Sequence, residues 1–412
     1  MTRNGPTEGT RTPRGREVLV SGAGVAGLAL AYWLRRHGFL VTVVEKAGSP
    51  RRGGYPVDVR GTALEVVRRM GVLPPLRAAH IELRRLTFLA GDGGEIASVE
   101  PQLLTGGVAG EDLEVRRGDL ASALYAAVAD DVEMQYGDRI EALQDSGHGV
   151  DVTFRGGGRR TFDLVIGADG LHSHTRELVF GPEEDFHRYL GYCFAGFTLP
   201  NTFGLSRETV LWNEPGRAAA LYAVEEGDDV HALLNFSRPE PPFGAFRHPE
   251  AQRDLVAGVF AGAGWEVPGL LAAMRDADDL FFDTVSQIRM PRWSKGRVAL
   301  VGDAAFAPSF LTGQGSSLAL VGAYMLAGSL AGRGHEAAFA AYENSTREFV
   351  TLNQDLVGEG GAALFPATAR DLEHRNAMLR DLPAAPSAQG RPAHSALALP
   401  EFGSAASAGR TS

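Results

Sequence analysis

The feature that most constrains the fold is a strand, a glycine-rich turn and a helix that follow one another near the start of the chain. The apolar run Val18–Val20 predicts a buried strand, and Val25–Arg36 shows helical periodicity that ends at Gly38. A second apolar run, Leu40–Val44, predicts another buried strand. This order is typical of the first unit of a nucleotide-binding α/β sheet.

The turn carries the complete pattern GxGxxG, formed by Gly22, Gly24 and Gly27. The first glycine permits a tight turn, the second lets the backbone approach a pyrophosphate, and the third lets the helix pack on the strand. Glu45 lies 18 residues beyond Gly27, where a carboxylate accepts hydrogen bonds from an adenosine ribose and repels a 2′-phosphate. The site therefore favours FAD or NAD over NADP, and this unit alone does not choose between the first two.

Two further predicted strands end in glycine turns that carry an aspartate. One segment reads FDLVIGADGLHSHTR and contains Asp169 and Gly170; the other reads GRVALVGDAAFAPSFLTGQG and contains Gly302 and Asp303. Open α/β sheets bind ligands at the carboxyl ends of their strands. We therefore expect all three turns to meet at one ligand-binding edge.

Residue types that are scarce in the chain exclude several other protein classes. Cys193 is the only cysteine, so a disulfide framework and a cysteine-rich metal site are excluded. Lys46 and Lys295 are the only lysines, and neither precedes the Ser or Thr that a P-loop requires. His172 and His174 lack a carboxylate cluster, so we expect no metal. The net charge of −10 argues against a nucleic-acid partner.

The terminal segments and the longest uncharged run bear on localisation. Residues 1–15 lack the apolar core of a signal peptide, and the segment from Pro383 onwards is rich in Ala, Ser, Pro and Gly, so both are expected to be disordered. The uncharged run Ala304–Gly332 is interrupted at Pro308, which leaves about 15 apolar-rich residues where roughly 20 are needed to span a bilayer. These observations and the single cysteine indicate a cytoplasmic protein.

The motifs GxGxxG, DG and GD, in this order over about residues 17–380, resemble those of the single-component FAD-dependent aromatic hydroxylases, the para-hydroxybenzoate hydroxylase-like family. The chain is most similar to the compact branch of tetracycline-inactivating and polyketide monooxygenases. The resemblance implies an α/β fold: a Rossmann-type FAD-binding domain with a β-sheet substrate domain inserted and C-terminal helices. The expected division is a disordered tail over 1–15, an FAD-binding domain over 16–80, 105–178 and 285–335, a substrate-binding sheet domain over 81–104 and 179–284, C-terminal helices over 336–382, and a disordered tail over 383–412.

The resemblance also implies roles for individual residues. Asp303 resembles the carboxylate that holds the ribityl chain of FAD, and Gln314 lies in a loop resembling the one whose N–H groups meet the flavin pyrimidine edge. Asp169 matches a motif associated with both FAD and the reducing nucleotide. Arg117 resembles an arginine that touches the flavin chain, with Arg116 as the alternative register. The residues expected to bind the cofactor are Gly22, Gly24, Ala26, Gly27, Glu45, Lys46, Arg60, Arg117, Ile140, Asp169, Gly170, Gly302, Asp303, Gly313, Gln314 and Gly315.

The chain departs from the family pattern at three positions. Phe306 replaces a common histidine, and Pro308 lies one residue early, so the shape of the loop beside the flavin is open. Lys46 stands where an arginine usually follows the ribose-binding acid, which leaves the choice between NADH and NADPH open. Residues 58–61, which include Arg60, resemble a segment near the isoalloxazine. Pocket candidates, for which core packing is an equal alternative, are Phe194, Phe197, Trp212, Tyr222, Phe236 and Phe282.

The function implied by the resemblance is FAD-dependent monooxygenation with NADH or NADPH and O₂. Non-covalent FAD forms a C4a-hydroperoxide that hydroxylates an aromatic or polyketide-like small molecule. No catalytic side chain is assigned. The expected state is a monomer or homodimer that meets no nucleic acid and no membrane. The alternatives are a flavin-dependent halogenase or prenyl reductase on the same scaffold, and a non-enzymatic flavin-binding sensor.

Overall fold

The computed structural model describes residues 15–50, 55–108, 110–225, 229–242, 248–382 and 390–403. The strands are β1 (Glu17–Ser21), β2 (Leu40–Glu45), β3 (Pro56–Val59), β4 (Arg85–Leu89), β5 (Glu95–Val99), β6 (Leu113–Arg116), β7 (Glu133–Tyr136), β8 (Ile140–Asp145), β9 (Val150–Phe154), β10 (Arg159–Phe162), β11 (Leu164–Gly167), β12 (His187–Leu199), β13 (Glu208–Glu214), β14 (Arg217–Ala223), β15 (Val230–Ser237), β16 (Phe281–Ile288), β17 (Ser294–Lys295) and β18 (Val298–Leu300).

The helices are α1 (Val25–Arg36), α2 (Thr62–Met70), α3 (Leu73–Ala78), α4 (Gln102–Thr105), α5 (Arg117–Ala126), α6 (His174–Phe180), α7 (Pro249–Val259), α8 (Val267–Asp276), α9 (Asp303–Phe306), α10 (Gly315–Leu330), α11 (His335–Asp355), α12 (Val357–Leu364) and α13 (Ala369–Arg380). Short 3₁₀ turns occupy Glu183–Asp185, Phe310–Thr312 and Pro392–Ser395. Among the described residues, each helix is too short or too polar to cross a lipid bilayer.

One six-stranded sheet forms the centre of the nucleotide-binding half, in the order β17-β18-β11-β1-β2-β7. The neighbours β18, β11, β1, β2 and β7 pair in parallel, and only β17 runs antiparallel to its neighbour. The carboxyl ends of β1, β11 and β18 therefore lie at one edge, where their glycine turns follow. The predicted meeting of the three turns is confirmed.

A seven-stranded sheet, in the order β16-β12-β15-β14-β13-β4-β5, forms the second half. Its outer face packs against α7 and α8 through a cluster that includes Trp212, Phe236, Phe260 and Met274. Its inner face carries a different apolar cluster and looks towards the nucleotide-binding half. Because side chains alternate between faces along a strand, each strand contributes to both clusters.

Two smaller sheets and a buried helix complete the nucleotide-binding half. The three-stranded sheet β10-β9-β8 and the two-stranded ribbon β3-β6 stand beside the large sheet. Helix α10 is buried along nearly its whole length and packs against α1. A Cβ on Gly322 would lie 2.8 Å from the Phe306 ring, so a glycine is needed for α10 to approach the loop after β18. The predicted fold class is confirmed.

The structure differs from the sequence-based expectation at residues 390–403, which pack on the surface of the nucleotide-binding half. The Phe402 ring lies 5.4 Å from the Tyr324 ring and covers Gly328, so closely that a Cβ there would overlap it. The Tyr324 hydroxyl donates to the Pro400 carbonyl at 2.6 Å, and the Thr62 hydroxyl donates to that of Leu397 at 2.8 Å. The prediction of a disordered tail over 383–412 is therefore wrong for residues 390–403, because their few apolar side chains pack on the helices of this half. The rest of that tail and residues 1–14 of the N-terminal tail lie outside the described residues.

Candidate active site

The turn after β1 has the geometry that its three glycines require. Gly22 has φ 105°, and a Cβ there would lie 2.5 Å from the Ala168 carbonyl oxygen of the neighbouring turn. A Cβ on Gly27 would overlap the Gly22 carbonyl oxygen. A Cβ on Gly24 would meet nothing within 4 Å. The first and third glycines are thus needed by the protein itself, whereas the second borders open space that a ligand can use.

Glu45, at the carboxyl end of β2, holds the adjoining loops together. Its Oε2 accepts a hydrogen bond from the Ala23 N–H at 2.9 Å, and its Oε1 accepts one from the Ala47 N–H at 2.9 Å. The carboxylate is therefore fixed beside the glycine turn, and it keeps free lone pairs for ribose hydroxyls. The next side chain, Lys46, is exposed.

Asp303, the first residue of α9, faces an internal cleft. Its side chain reaches solvent, although neighbouring protein desolvates it in part, and none of the described residues hydrogen-bonds to its carboxylate. Burial raises its pKa, and the positive charge of Arg117 acts in the opposite direction. Gly302, with φ 65°, precedes it, and a Cβ there would lie 2.7 Å from Ala26 Cβ. The structure thus brings the turns after β1 and β18 into contact, with Arg117 near Asp303.

The loop before α10 packs between the two halves of the molecule. Phe310 stacks edge-on against Phe194 of β12, with ring centroids 5.0 Å apart. Gly313 has φ 64°, and its α-carbon faces Asp58, whose Oδ2 lies 2.7 Å from where a Cβ would stand. The buried Gln314 amide has no hydrogen-bond partner among the described residues. From Gly315 the helix begins, and its positive end points into this region.

The DG turn after β11 is occupied by bonds within its own segment. Asp169 accepts hydrogen bonds from the Ser173 hydroxyl, the Thr175 hydroxyl and the Thr175 N–H, at 2.5, 2.8 and 2.9 Å. Fully buried Arg176 donates to the Ala304 carbonyl at 3.0 Å and so joins this turn to the GD turn. A Cβ on Gly170 would meet nothing within 4 Å, so that glycine also borders open space.

His172 of the same segment makes ion pairs with two carboxylates. Its Nε2 lies 3.2 Å from Asp283 Oδ2 on β16, and its Nδ1 lies 2.8 Å from Glu183 Oε1. These hydrogen bonds, first that with Asp283, raise the pKa of His172 above its ordinary value. No cluster of three metal-ligating side chains occurs among the residues that the structure describes.

Arg60 is held by the chain itself. Its guanidinium donates to Asp58 Oδ1 at 2.6 Å and to the Thr105 hydroxyl at 3.0 Å, and the side chain is buried. The Arg60 N–H donates to the Ser317 hydroxyl at the start of α10, at 3.1 Å. This arginine therefore fixes the β3 segment against α10. Ile140 is likewise buried, in the apolar cluster around β8 and β9.

The structure adds one acid that the sequence did not single out. Glu114 on β6 is the register partner of Asp58 on β3, and its Oε1 accepts a hydrogen bond from the Tyr222 hydroxyl on β14 at 3.1 Å. Burial, and then the charge of Asp58, raise the pKa of Glu114 to about 7. A motif scan could not find this pair because Asp58 and Glu114 are far apart in the chain.

The pocket candidates divide between the two faces of the large sheet. Phe194 and Tyr222 lie on the inner face, which also presents Leu211, Ala220 and Leu233. The other four candidates belong to the outer cluster under α7 and α8, where the alternative of core packing applies; they are Phe197, Trp212, Phe236 and Phe282.

Comparison with known proteins identifies the family to which the chain belongs. A family model described as an FAD binding domain matches residues 16–206. The chain is 45% identical over 355 residues to the uncharacterized protein Rv1260 of Mycobacterium tuberculosis (strain ATCC 25618 / H37Rv), covering 85% of this chain and 95% of that protein. It is 38% identical over 369 residues to a flavin-dependent monooxygenase of an unknown prokaryotic organism, covering 88% and 95%. The chain belongs to the flavin-dependent monooxygenases.

A solved structure extends this similarity to three dimensions. The crystal structure of the tetracycline destructase Tet(55) matches with a TM-score of 0.82 and 35% identity, over 95% of this chain and all of that one. The predicted family, the α/β fold class and the enzyme class of FAD-dependent oxidoreductase are confirmed by these findings. The individual contacts to the cofactor stay predictions.

The residues of this monooxygenase fit FAD on their own geometry. Open space beside Gly24 and Gly170 leaves room for a phosphate-bearing ligand at the sheet edge. The Asp303 carboxylate is accessible, and none of the described residues donates a hydrogen bond to it, so its oxygens are available to a ligand. Ribose and ribityl hydroxyls are donors of the required kind.

Proposed function

We propose that this monooxygenase hydroxylates an aromatic or polyketide-like small molecule, using O₂ and NADH or NADPH. The observation that carries the proposal is the position of the 310–315 loop, which packs directly on the inner face of the seven-stranded sheet through Phe310 and Phe194. The flavin-side turns and a largely apolar sheet face therefore border one region. Flat, apolar substrates suit such a region.

The polar groups near this apolar face are arranged in a row. Thr209, Tyr222, His231 and Thr198 are successive register partners across β13, β14, β15 and β12. The Thr198 hydroxyl lies 3.2 Å from His231 Nδ1. A ligand beside this row would meet the partly exposed Leu233 and the hydrogen-bonding groups along the row. An oxygen-bearing aromatic ring has both kinds of surface.

Each element of the site has a defined task in the proposed reaction. Reduced flavin supplies the activated oxygen. We assign Glu45 to the adenosine ribose, the glycine turn at Gly24 to the pyrophosphate, and Asp303 with Arg117 to the flavin chain. The positive end of α10 at Gly315 stabilises negative charge on the flavin by about 0.3–1 kcal/mol, and up to ~2 if buried. The apolar face keeps water away from the reacting ring.

The two lysines bear on the rival halogenase function. The resembled halogenases require a lysine beside the substrate. Lys46 is exposed at the end of β2, next to the acid assigned to the adenosine ribose. Lys295 pairs with Val298 at the start of β18, at the opposite end from Asp303, and its Nζ donates to the Val179 carbonyl at 2.9 Å. Both positions favour oxygenation over halogenation.

The experiment is a substrate screen with the FAD-loaded protein. NADH and NADPH oxidation is followed optically against a panel of phenols, hydroxyquinones and aromatic polyketides, and products are analysed by mass spectrometry. Substrate-accelerated oxidation with a product heavier by one oxygen atom supports the proposal. Oxidation that never responds to any compound supports the sensor alternative. A brominated product in bromide buffer that disappears in Lys46→Met or Lys295→Met supports the halogenase.

A further inference from the structure

The ribbon β3-β6 presents one apolar and one charged face. Val57, Val59, Leu113 and Val115 pack into the core of the nucleotide-binding half. The alternate positions place Asp58 and Glu114 on the other face as direct register partners. Carboxylates directly opposite one another repel, so this pair destabilises the ribbon unless a charge is removed by protonation or paired with a cation.

Asp58 and Glu114 have different hydrogen-bond partners. Asp58 makes a 2.6 Å ion pair with buried Arg60. Glu114 instead accepts a hydrogen bond, at 3.1 Å, from the neutral hydroxyl of Tyr222 on the seven-stranded sheet. A phenol stabilises a carboxylate less than a guanidinium does. The pair thus holds one fixed negative charge on Asp58 and one exchangeable proton on Glu114.

The exchangeable proton lies between the two parts of the candidate site. Asp58 contacts the 310–315 loop at Gly313, whereas Tyr222 belongs to the polar row on the inner face of the sheet. The end of β6 and the start of α5 continue the connection, because Arg116 acts electrostatically on Tyr222 and Arg117 acts on Asp303. Glu114 therefore stands at the junction of the flavin-side loop and the substrate-facing sheet.

We infer that Glu114 and Tyr222 form a subsite for an acidic hydroxyl of the substrate, a phenol or an enol, whose proton Glu114 accepts. The inference rests on the proposed function, because it names the group by which the oxygenated substrate is recognised. Neither residue belongs to the cofactor motifs. The subsite adds a chemical requirement to the substrate class: a hydroxyl attached to an unsaturated carbon.

The proton transfer balances within the site. The substrate O–H bond breaks, a Glu114 O–H bond forms, and the electron pair stays on the substrate oxygen as phenolate or enolate. The Tyr222 hydroxyl, released from Glu114, donates to that oxygen instead. The negative charge enters the ring or enol and raises the electron density at the carbon that receives oxygen. No oxidant or reductant is consumed in this step, and the proton returns to the product oxygen afterwards.

Other titratable groups surround Glu114 and influence the pH range in which its carboxylate can accept a proton. Asp58 and Arg60 face it from β3, and Tyr222 faces it from β14. His80 lies in the segment before β4, and its Nδ1 accepts a hydrogen bond from the Glu114 N–H at 3.2 Å. Glu114 is in its accepting form above about pH 7, because burial and Asp58 raise its pKa to about 7. Recognition of the hydroxyl should therefore strengthen as the pH rises through that value.

The test compares 4-chlorophenol, whose hydroxyl stays protonated in free solution over the titrated pH range, with its methyl ether, 4-chloroanisole, as ligands of the FAD-loaded protein. Binding is measured by titration between pH 6 and pH 8, and the phenolate is followed by its absorbance. The wild type should prefer the phenol by about tenfold or more at pH 8, as for a charge-assisted hydrogen bond. Glu114→Gln should lose the preference and its pH dependence, and Tyr222→Phe should weaken it. Glu111→Gln, an exposed acid on the same segment, should change neither.

Turnover provides the second measurement. With a hydroxylated substrate from the screen, Glu114→Gln should lower the oxygenation rate by about 10²–10⁴-fold at unchanged FAD content, as for loss of a general base. Equal affinity for phenol and ether in the wild type, or full turnover with an unchanged pH profile in Glu114→Gln, overturns the inference. A phenol preference that depends on Glu114 in a protein without oxygenase activity upholds the subsite and refutes the proposed function.

Discussion

Replacing Glu114 by Gln should make the protein more stable at alkaline pH, although it damages the site. The folded protein raises the pKa of this carboxyl from 4.5 to about 7, first by burial and then through the charge of Asp58. A group whose pKa is higher in the folded state stabilises the fold most when it is protonated in both states. That contribution is fully present below about pH 4.5 and is lost as the pH rises to about 7.

The magnitude follows from the size of the shift. Each pKa unit corresponds to about 1.4 kcal/mol, so the full shift is worth roughly 3 kcal/mol. Water that reaches the half-buried side chain reduces this figure, and we expect a gain of about 1–3 kcal/mol for Glu114→Gln at pH 8 relative to pH 4.5. Glutamine keeps the size of the side chain and can still accept the Tyr222 hydroxyl hydrogen bond.

Urea unfolding of the FAD-saturated wild type and variant, followed by tryptophan fluorescence at pH 4.5, 6 and 8, measures the difference. Other carboxylates titrate equally in both proteins and cancel in the comparison. The free-energy advantage of the variant should grow with pH between about 4.5 and 7 and then level off. A difference that is independent of pH, or one that favours the wild type at pH 8, refutes the reasoning about the Asp58–Glu114 pair.

The remaining predictions concern the cofactor and the last described segment. Gly24→Ala should fold normally and bind FAD poorly, whereas Gly27→Ala should not fold, because its Cβ overlaps a carbonyl oxygen; circular dichroism and flavin absorbance separate the two outcomes. Asp303→Ala should lower FAD affinity about ten- to more than hundredfold without reducing thermal stability of the apoprotein, and unchanged affinity in a flavin titration contradicts the assignment. A chain ending at Gly403 should match the full chain in urea unfolding, whereas a chain ending at Leu382 should lose about 3 kcal/mol or more with the packing and hydrogen bonds around Tyr324.

The parts of the site that local sequence determines could be predicted well. The turn at Gly22–Gly27 and the GD turn at Asp303 each combine a strand, a glycine conformation and a helix start within a short segment. Parallel pairing then brings the turns to one edge without further information. The order of the motifs carried the resemblance to the family, and the comparisons confirmed that family.

The parts that depend on non-local pairing could not be predicted. Whether Trp212 or Tyr222 faces the ligand depends on strand register, because neighbouring residues on a strand point to opposite faces. The meeting of Asp58 with Glu114 requires the ribbon β3-β6 to form between distant segments. The composition of the segment from Pro383 onwards suggested disorder, because composition does not reveal that the Phe402 ring packs over Gly328 on α10.

The position of residues 390–403 has a consequence for how the protein is made. The ribosome releases the chain from its N-terminus. Strand β1 therefore emerges long before β18, which lies two strands away from it in the large sheet. The groove on α10 stays bare for longer still, until Phe402 has left the exit tunnel. During that interval the apolar surface around Gly328 is open to chaperones. A translation product that stops short of this segment should keep that surface uncovered.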